Sequence, residues 1–170
     1  MSRRQNLLEF QQLLARRLND APERGTVNAL LGISLGSESW LLKLTDIAEV
    51  VPCPPIESVP WTKPWFRGAV NLRGQVYSVV DLAAFVGGAM VPDSRSARLL
   101  LINRSVVRGC ALLVDKVLGM RNPAAFRTAA GSTDPQAWIK SHLIDEESAS
   151  WRELDLRQLT THPTYLDVTM

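Results

Sequence analysis

The sequence predicts a mainly β fold, a small barrel or sandwich with short capping helices. Three observations support this prediction. Short runs of alternating apolar and polar residues recur, glycine and proline separate these runs, and residues 26–138 contain no long helical pattern. The chain has 170 residues, of which 46% are hydrophobic and 21% are charged. A chain of this size can bury a core without disulfides, because folding removes roughly 70% of its surface from water.

One amphipathic helix is predicted ahead of the β region. In residues 5–18 the leucines and Phe10 recur at helical spacing, and residues 20–25 then form a linker. We therefore expect residues 1–24 to be a helix and linker, and residues 25–170 to be one β domain. The apolar stripe of the helix needs a covering surface, and the outer wall of this domain is favoured over a partner protein.

Three β-hairpins follow in chain order. Each combines two alternating runs with a turn rich in glycine, serine or asparagine, which is typical of tight connections between antiparallel strands. The predicted strands cover, in order, residues 27–35 and 40–44, 66–73 and 75–80, and 98–102 and 107–114.

The chain also repeats itself. Asp81 and Asp155 each follow a strand and begin a short helical turn, so both are predicted to be helix N-caps and nothing more. These two aspartates are 74 positions apart, and the first and third hairpins are offset by 70. The segments that follow those hairpins begin at Asp46 and Asp115, an offset of 69. The similar offsets predict one supersecondary unit present twice, with an insertion near residues 121–138 in the second copy.

Charge is distributed unevenly along the chain. Residues 60–133 carry ten basic and three acidic side chains, whereas residues 134–170 carry three basic and seven acidic ones. The basic segment supports an alternative function, a small nucleic-acid-binding barrel with aromatic residues near Arg67 and Arg73. Attraction between two halves of one fold explains the same pattern. We favour it because the basic residues are spread over several predicted strands.

Motifs of catalysis and metal binding are missing from the sequence. No phosphate-binding glycine loop and no GxSxG elbow occurs, and His142 and His162 lack the spacing of metal ligands. Cys53 and Cys110 are expected to be reduced thiols, and the acidic run at 145–147 a solvated turn. We predict no enzymatic activity, no catalytic residue, no metal and no cofactor. No apolar run is long enough to cross a membrane, and no secretory signal is present, so a cytoplasmic location without membrane insertion is expected.

Residues 60–88, PWTKPWFRGAVNLRGQVYSVVDLAAFVGG, are the most distinctive segment of the chain. Together with IAEV at 47–50, GCALLVDKV at 109–117 and LDL at 154–156, this segment resembles the CheW-like coupling family of bacterial chemosensory systems. The resemblance covers residues 27–160. The additional N-terminal segment and the tryptophan-rich approach to the WFRGAVNLRG motif are most similar to pilus-associated members of the family, which serve twitching motility driven by type IV pili.

This resemblance implies two small five-stranded SH3-like β-barrels packed together, with no catalytic activity and no cofactor. It implies an adaptor that joins the cytoplasmic tip of a methyl-accepting chemoreceptor to the regulatory domain of a CheA-type histidine kinase, without binding nucleic acid. Carried over by motif, Ile47, Gly68 and Arg73 match positions at or near the receptor contact surface. Glu49 matches an acid that can pair with Arg73.

Each of these four residues also has a structural explanation. Glu49 and Arg73 are expected to form a half-buried ion pair that fixes two strands, and this is favoured as their direct role. Gly68 is explained equally well by a steric clash that any side chain would cause. Ile47 is a β-branched residue of a type usually found in the core, and only exposure in the folded protein favours a contact with a partner.

Overall fold

The computed structural model describes residues 28–131 and 134–170. Strands dominate this part of the chain, and the helices in it are short. The strands are β1 (Leu30–Leu35), β2 (Glu38–Lys43), β3 (Ile47–Pro52), β4 (Phe66–Leu72), β5 (Gln75–Asp81), β6 (Arg98–Ile102), β7 (Cys110–Val114), β8 (Lys116–Arg121), β9 (Phe126–Thr128), β10 (Ile139–Asp145) and β11 (Ser150–Leu154). The helices are α1 (Leu82–Phe85), α2 (Leu156–Thr161), α3 (Pro163–Leu166) and two 3-10 turns at Leu44–Asp46 and Pro123–Ala125.

The strands form two sheets, which confirms the predicted mainly β fold. Sheet A has the strand order β8-β1-β2-β11-β10-β9, and sheet B has the order β3-β6-β7-β5-β4. Sheet B contains the five strands expected for one barrel. Sheet A contains six, because the three-residue strand β9 pairs with the end of β10. The predicted N-terminal helix and linker, residues 1–24, lie outside the described residues.

All three predicted hairpins are present as antiparallel pairs, β1 with β2, β4 with β5 and β6 with β7. The strand after the first hairpin crosses to the other sheet, because β3 follows β1 and β2 of sheet A but pairs with β6 of sheet B. The strand after the third hairpin crosses back, because β8 pairs with β1. A parallel pair then completes each sheet, β5 with β7 and β11 with β2. The two halves therefore share one topology, as the sequence offsets predict.

The predicted insertion lies in sheet A, between β8 and β10. It contains the 3-10 turn Pro123–Ala125 and the edge strand β9. Asn122 precedes the turn and accepts a hydrogen bond from the backbone N–H of Ala124 at 3.0 Å, which caps it. Residues 132 and 133 of this segment lie outside the described part of the chain.

Side chains from both sheets contribute to one main apolar core, which includes the fully buried Trp40 and Leu112. A second, smaller cluster belongs to sheet A alone and contains Leu30, Leu41 and Trp151. Because alternate residues of a strand point to opposite faces, sheet A has an apolar face on each side. A barrel by itself buries only the inner face of its strands, so the second buried face of sheet A results from packing against sheet B.

The two cap aspartates behave differently. Among the described residues, the Asp155 side chain accepts hydrogen bonds from the first turn of α2 alone, at the backbone N–H groups of Arg157 and Gln158 (2.9 and 3.1 Å). Asp81 caps α1 in the same way but is fully buried, and its second oxygen accepts a hydrogen bond from the Val91 N–H at 2.9 Å. That oxygen also pairs with Arg67 at 3.0 Å. The prediction of capping alone is therefore wrong for Asp81, which also fixes the loop after α1.

Candidate partner-binding site

Glu49 and Arg73 form an ion pair between the two ends of sheet B. Glu49 lies on the edge strand β3, and Arg73 lies in the turn between β4 and β5 at the other edge. The pair is bidentate: Arg73 Nη2 is 2.8 Å from Glu49 Oε1, and Nη1 is 3.1 Å from Oε2. In a flat sheet, β3 and β5 would be about 14 Å apart, at three strand spacings. The contact therefore depends on the curling of sheet B into a barrel.

The backbone of Arg73 is unusual for its residue type. Leu72 and Gln75 are the last paired residues of the hairpin, so Arg73 and Gly74 form a two-residue turn. Both have positive φ, +52° and +79°, as a type I′ turn requires. Asn or Asp is the residue usually found in the first of these positions, and an arginine there is strained. The Asn71 side chain supports the turn by accepting a hydrogen bond from the Gly74 N–H at 3.0 Å.

The ion pair is more exposed than the sequence predicts. The Arg73 side chain is 79% exposed and that of Glu49 is 37% exposed, so the expected half-buried pair is a surface pair. Hydrogen bonding to Glu49, and then its negative charge, raise the pKa of the Arg73 guanidinium. Surface ion pairs contribute little to folding stability, because water screens them. The main effect of the pair is to fix the position of the Arg73 guanidinium. Its remaining N–H donors are thereby held at the protein surface.

A groove lies against sheet B, and both residues of this ion pair belong to its lining. Its volume is about 270 Å³. Apolar side chains from β3, β4 and β6 and the ring of Tyr77 from β5 line it, and polar groups flank it. The lining residues are Glu49, Val51, Leu72, Arg73, Gln75, Tyr77 and Leu101. Tyr77 is held in place by its hydroxyl, which donates a hydrogen bond to the Gln75 side chain at 2.9 Å. We call this feature the sheet B groove.

Ile47 begins β3 and is partly buried. It pairs with Ile102 and packs against the main core. A β-bulge separates Ile47 from Glu49 and changes the direction in which the side chains of β3 point. Ile47 is therefore two residues from the ion pair without lining the sheet B groove, and its place in the site stays a prediction.

Gly68 is buried beneath the segment that precedes β4. The backbone of Glu57 forms an isolated bridge with Ala69, and a Cβ atom on Gly68 would lie 2.0 Å from the Glu57 carbonyl oxygen. Its φ of +127° is also a conformation that glycine alone adopts readily. These contacts support the steric explanation of this glycine. Its direct role in partner binding stays a prediction.

The structure thus brings Glu49 and Arg73 together and separates Gly68 from them. Sequence reasoning missed the other residues of the sheet B groove. A signal for part of it was present, because alternate residues share a strand face: Val51 shares a face with Glu49, and Tyr77 shares one with Gln75. Leu101 could not be found in this way, since only the pairing of β3 with β6 brings it to the groove.

Sheet A contains the counterpart of this site. In sheet B, Glu49 pairs with Leu101 next to the bulge between β3 and β6. In sheet A, Gly119 pairs with Gly32 next to the bulge between β8 and β1. Since the two halves have the same topology and the bulges coincide, Gly119 corresponds to Glu49 and Gly32 corresponds to Leu101.

The same registers relate Tyr77 on β5 to Trp151 on β11. Trp151 is buried over Gly32, where an added Cβ would lie 3.3 Å from the indole ring. Phe126 from the insertion packs edge-on against Trp151, with ring centroids 5.6 Å apart. In sheet A the chain therefore fills this place with its own aromatic side chains. In sheet B the smaller Tyr77 leaves a groove open.

The residues that favoured nucleic-acid binding are occupied in other ways. Arg67 pairs with the buried Asp81, and Arg73 pairs with Glu49. Phe66 packs against the main core, and Tyr77 lines the sheet B groove. Phe66 and Arg67 are therefore engaged within the protein, whereas Arg73 and Tyr77 stay at the sheet B groove.

Among residues 28–131 and 134–170, no helix has the length and apolar character needed to cross a bilayer. In the same residues, no group of three or more His, Cys, Asp or Glu side chains has an arrangement suited to a metal ion.

The chain is similar to proteins of known classes. A model of the CheW-like domain matches residues 29–163. Protein PilI of Pseudomonas aeruginosa is 24% identical over 142 residues, which cover 82% of this chain and 79% of that protein. Chemotaxis protein CheW of Thermotoga maritima is 26% identical over 91 residues, which cover 54% of this chain and 59% of that protein.

A solved structure supports the same architecture. The crystal structure of the scaffolding protein TtCheW from Thermoanaerobacter tengcongensis superposes with a TM-score of 0.67 at 21% sequence identity. The match covers 81% of this chain and 94% of that one. At this identity the likeness establishes the fold.

Proposed function

The chain belongs to the CheW-like domain family, a family of scaffold proteins, and from this we propose that it is a non-enzymatic adaptor of a bacterial chemosensory system. It joins the cytoplasmic tip of a methyl-accepting receptor to the regulatory domain of a CheA-type histidine kinase. One barrel face accepts the receptor helix, and another docks against a homologous barrel of the kinase. We place the protein in the cytoplasm, where these two partners meet.

The observation that carries the proposal is the open sheet B groove with an exposed ion pair beside it. An amphipathic helix binds a protein surface by inserting apolar side chains into such a groove, while polar groups at the rim fix its register. Val51, Leu72 and Leu101 supply the apolar lining, and Arg73 retains free N–H donors for a partner's carbonyl or carboxylate oxygens. The filled counterpart in sheet A, around Trp151, indicates that the fold itself does not require the groove to be open.

Weak contacts at each face are sufficient for this function. Receptors and kinases that assemble in arrays present many copies of each binding partner. Binding at one face then raises the effective concentration at the next, so the assembly is more stable than any single contact.

We further propose that the chain serves a pilus-associated pathway that controls twitching motility. Its alignment with protein PilI extends over 142 residues, whereas that with the Thermotoga CheW extends over 91. The tryptophan-rich segment before β4 supports the same placement by resemblance.

Binding of the purified full chain to a receptor tip fragment and to a kinase regulatory domain tests the proposal. We expect both to bind, and we expect Arg73→Ala to weaken receptor binding by more than about tenfold, because this residue supplies the rim donors. Arg95→Ala is the matched control, since this exposed arginine lies before β6, at the end away from Leu101. An unchanged affinity for Arg73→Ala would remove Arg73 from the site. Binding of nucleic acid in a shift assay, with neither protein bound, would overturn the proposed function.

A charge-swapped variant separates the two roles of the ion pair. Glu49→Arg combined with Arg73→Glu keeps an ion pair but exchanges the positions of the charges. If the pair acts only by holding β3 to the β4–β5 turn, the double variant recovers receptor binding that each single variant loses. If Arg73 donates directly to the receptor, binding stays lost in the double variant.

A further inference from the structure

A second apolar surface lies away from the sheet B groove. Six large apolar side chains are exposed within the described residues, and four of them belong to two segments that are hydrogen-bonded to each other. These four are Val59, Trp61, Leu166 and Met170, which we call the Trp61 patch. The segments are joined by the bridge of Thr62 with Thr169 and by the backbone bond from Met170 N–H to the Trp61 carbonyl, at 3.1 Å.

Trp61 is the most unusual member of the patch. Its side chain is 80% exposed, and its φ of +62° is a conformation that bulky residues rarely adopt. Strain of this kind persists where it serves a function, and exposed tryptophans are frequent anchors of interfaces. The other four tryptophans, Trp40, Trp65, Trp138 and Trp151, are buried.

We propose that the Trp61 patch is the docking site of the chain's own N-terminal segment, residues 5–18. The sequence of this segment predicts an amphipathic helix with Leu7, Leu8, Phe10, Leu13, Leu14 and Leu18 on one face. Such a face needs an apolar surface. The Trp61 patch offers one outside the sheet B groove, so occupation of the patch leaves the proposed receptor site free.

The chain enters the described fold at the end of sheet A from which it leaves for the C-terminal helices. β1 begins at the end of sheet A where β2 ends, because Leu30 pairs with Lys43. β11 runs parallel to β2 and leads into α2 at that same end. The start of β1 and the start of α2 are thus two strand spacings apart, about 10 Å. α2 and α3 then lead to Leu166 and Met170 of the patch. Residues 19–27 add a connection that can extend to about 30 Å.

The charges of the two regions are complementary. Residues 1–18 carry four arginines and one glutamate. Next to the patch, Asp167 is exposed although it pairs with Lys63 at 2.7 Å, and Glu57 is exposed as well. This arrangement favours approach of the arginine-rich segment over that of an acidic one.

Iodide quenching of tryptophan fluorescence in the full chain tests the proposal. Because the other four tryptophans are buried, quenching in the native state reports mainly on Trp61. We expect weak quenching in the unmodified chain and an increase of about threefold in the full-length variant Leu13→Ser/Leu14→Ser, which weakens the apolar face. Trp61→Phe supplies the background signal. Equal quenching of the unmodified chain and the double-serine variant would overturn the proposal.

Unfolding equilibria give a second, independent readout. If the two regions are in contact, the effects of Trp61→Ser and of Leu13→Ser/Leu14→Ser on the unfolding equilibrium constant should not be additive. We expect the combined variant to differ by about tenfold from the product of the two separate effects. Val76→Ser is the matched control, because Val76 is exposed on β5 outside the patch and should couple with neither. The protein is also diluted until any dimer dissociates. If the coupling, or the protection of Trp61 from iodide, is lost together with the dimer, the patch binds a second copy and docking within one chain is overturned.

Discussion

Substitution of Gly68 by alanine tests whether this residue acts by sterics or by contact with a partner. A Cβ at this position would lie 2.0 Å from the Glu57 carbonyl oxygen and 2.9 Å from the Ser58 Cα. Both neighbours are backbone atoms, which no rotamer change can move away. The segment at 57–58 must therefore retreat by about 1 Å or more to reach a normal contact distance.

The cost of this movement follows from what holds the segment in place. Two backbone hydrogen bonds join Glu57 and Ala69, each 2.9 Å long, and both would be stretched or lost. Their net contribution is about 2 kcal/mol together. An alanine at φ +127° adds about 1 to 3 kcal/mol of backbone strain. We therefore expect Gly68→Ala to lower the free energy of unfolding by about 3 to 5 kcal/mol.

Gly74→Ala is the control, because it shares the positive φ without the clash. At Gly74 no heavy atom lies within 4 Å of an added Cβ, so we expect a loss of about 1 kcal/mol. Urea unfolding followed by circular dichroism gives both values. Similar midpoints for the two variants would refute the steric reasoning. A Gly68→Ala variant that is as stable as the unmodified chain but no longer binds a receptor would instead show that Gly68 contacts the partner.

Two further predictions concern acidic side chains. Asp81→Ala should lower the free energy of unfolding by about 3 kcal/mol, because it leaves the Arg67 charge unpaired. Asp155→Ala should lower it by only about 1 kcal/mol, because it removes a helix cap and no more. Equal losses of the two variants in urea unfolding would contradict this reasoning. A hydrogen bond from Trp151 Nε1 is the main cause that lowers the pKa of Asp145. The ionised form of Asp145 is therefore favoured in the folded state. The contribution of this carboxylate to the free energy of unfolding is complete above about pH 4, and it is lost as the pH falls through the lower folded pKa. Asp145→Asn should flatten that acidic part of the stability profile, measured by urea unfolding at a series of pH values.

Local patterns in the sequence were sufficient to predict most of the fold. Alternating residues identified the three hairpins, since one face of each strand is buried, and similar offsets identified the repeat. The pairing between halves could not be predicted, because the exchange of β3 and β8 between sheets is a long-range feature. The sixth strand of sheet A was missed for a different reason. β9 has only three residues, too few to show a period of two.

The candidate site was predictable only where the sequence motif contained both partners. Glu49 and Arg73 were expected to pair, and they do, but their exposure depends on how sheet B curls. The additional role of Asp81 was invisible for the same reason: Val91 is ten positions away, and its N–H reaches the carboxylate only because the loop after α1 folds back. Side chains that act through tertiary contacts leave no periodic signal.

Comparison of the two halves gives a structural reason for the open groove in sheet B. In sheet A, Gly32 leaves room for the indole of Trp151, and Phe126 covers it. In sheet B, the position that corresponds to Gly32 carries the side chain of Leu101, so an indole could not lie against the strand in the same way. Leu101 is itself buried and lines the sheet B groove, and Glu49 holds an arginine at the rim. The open groove of sheet B therefore goes together with a leucine in place of Gly32. Under the proposed function, an apolar side chain of the partner would fill the place that the chain's own aromatic residues fill in sheet A.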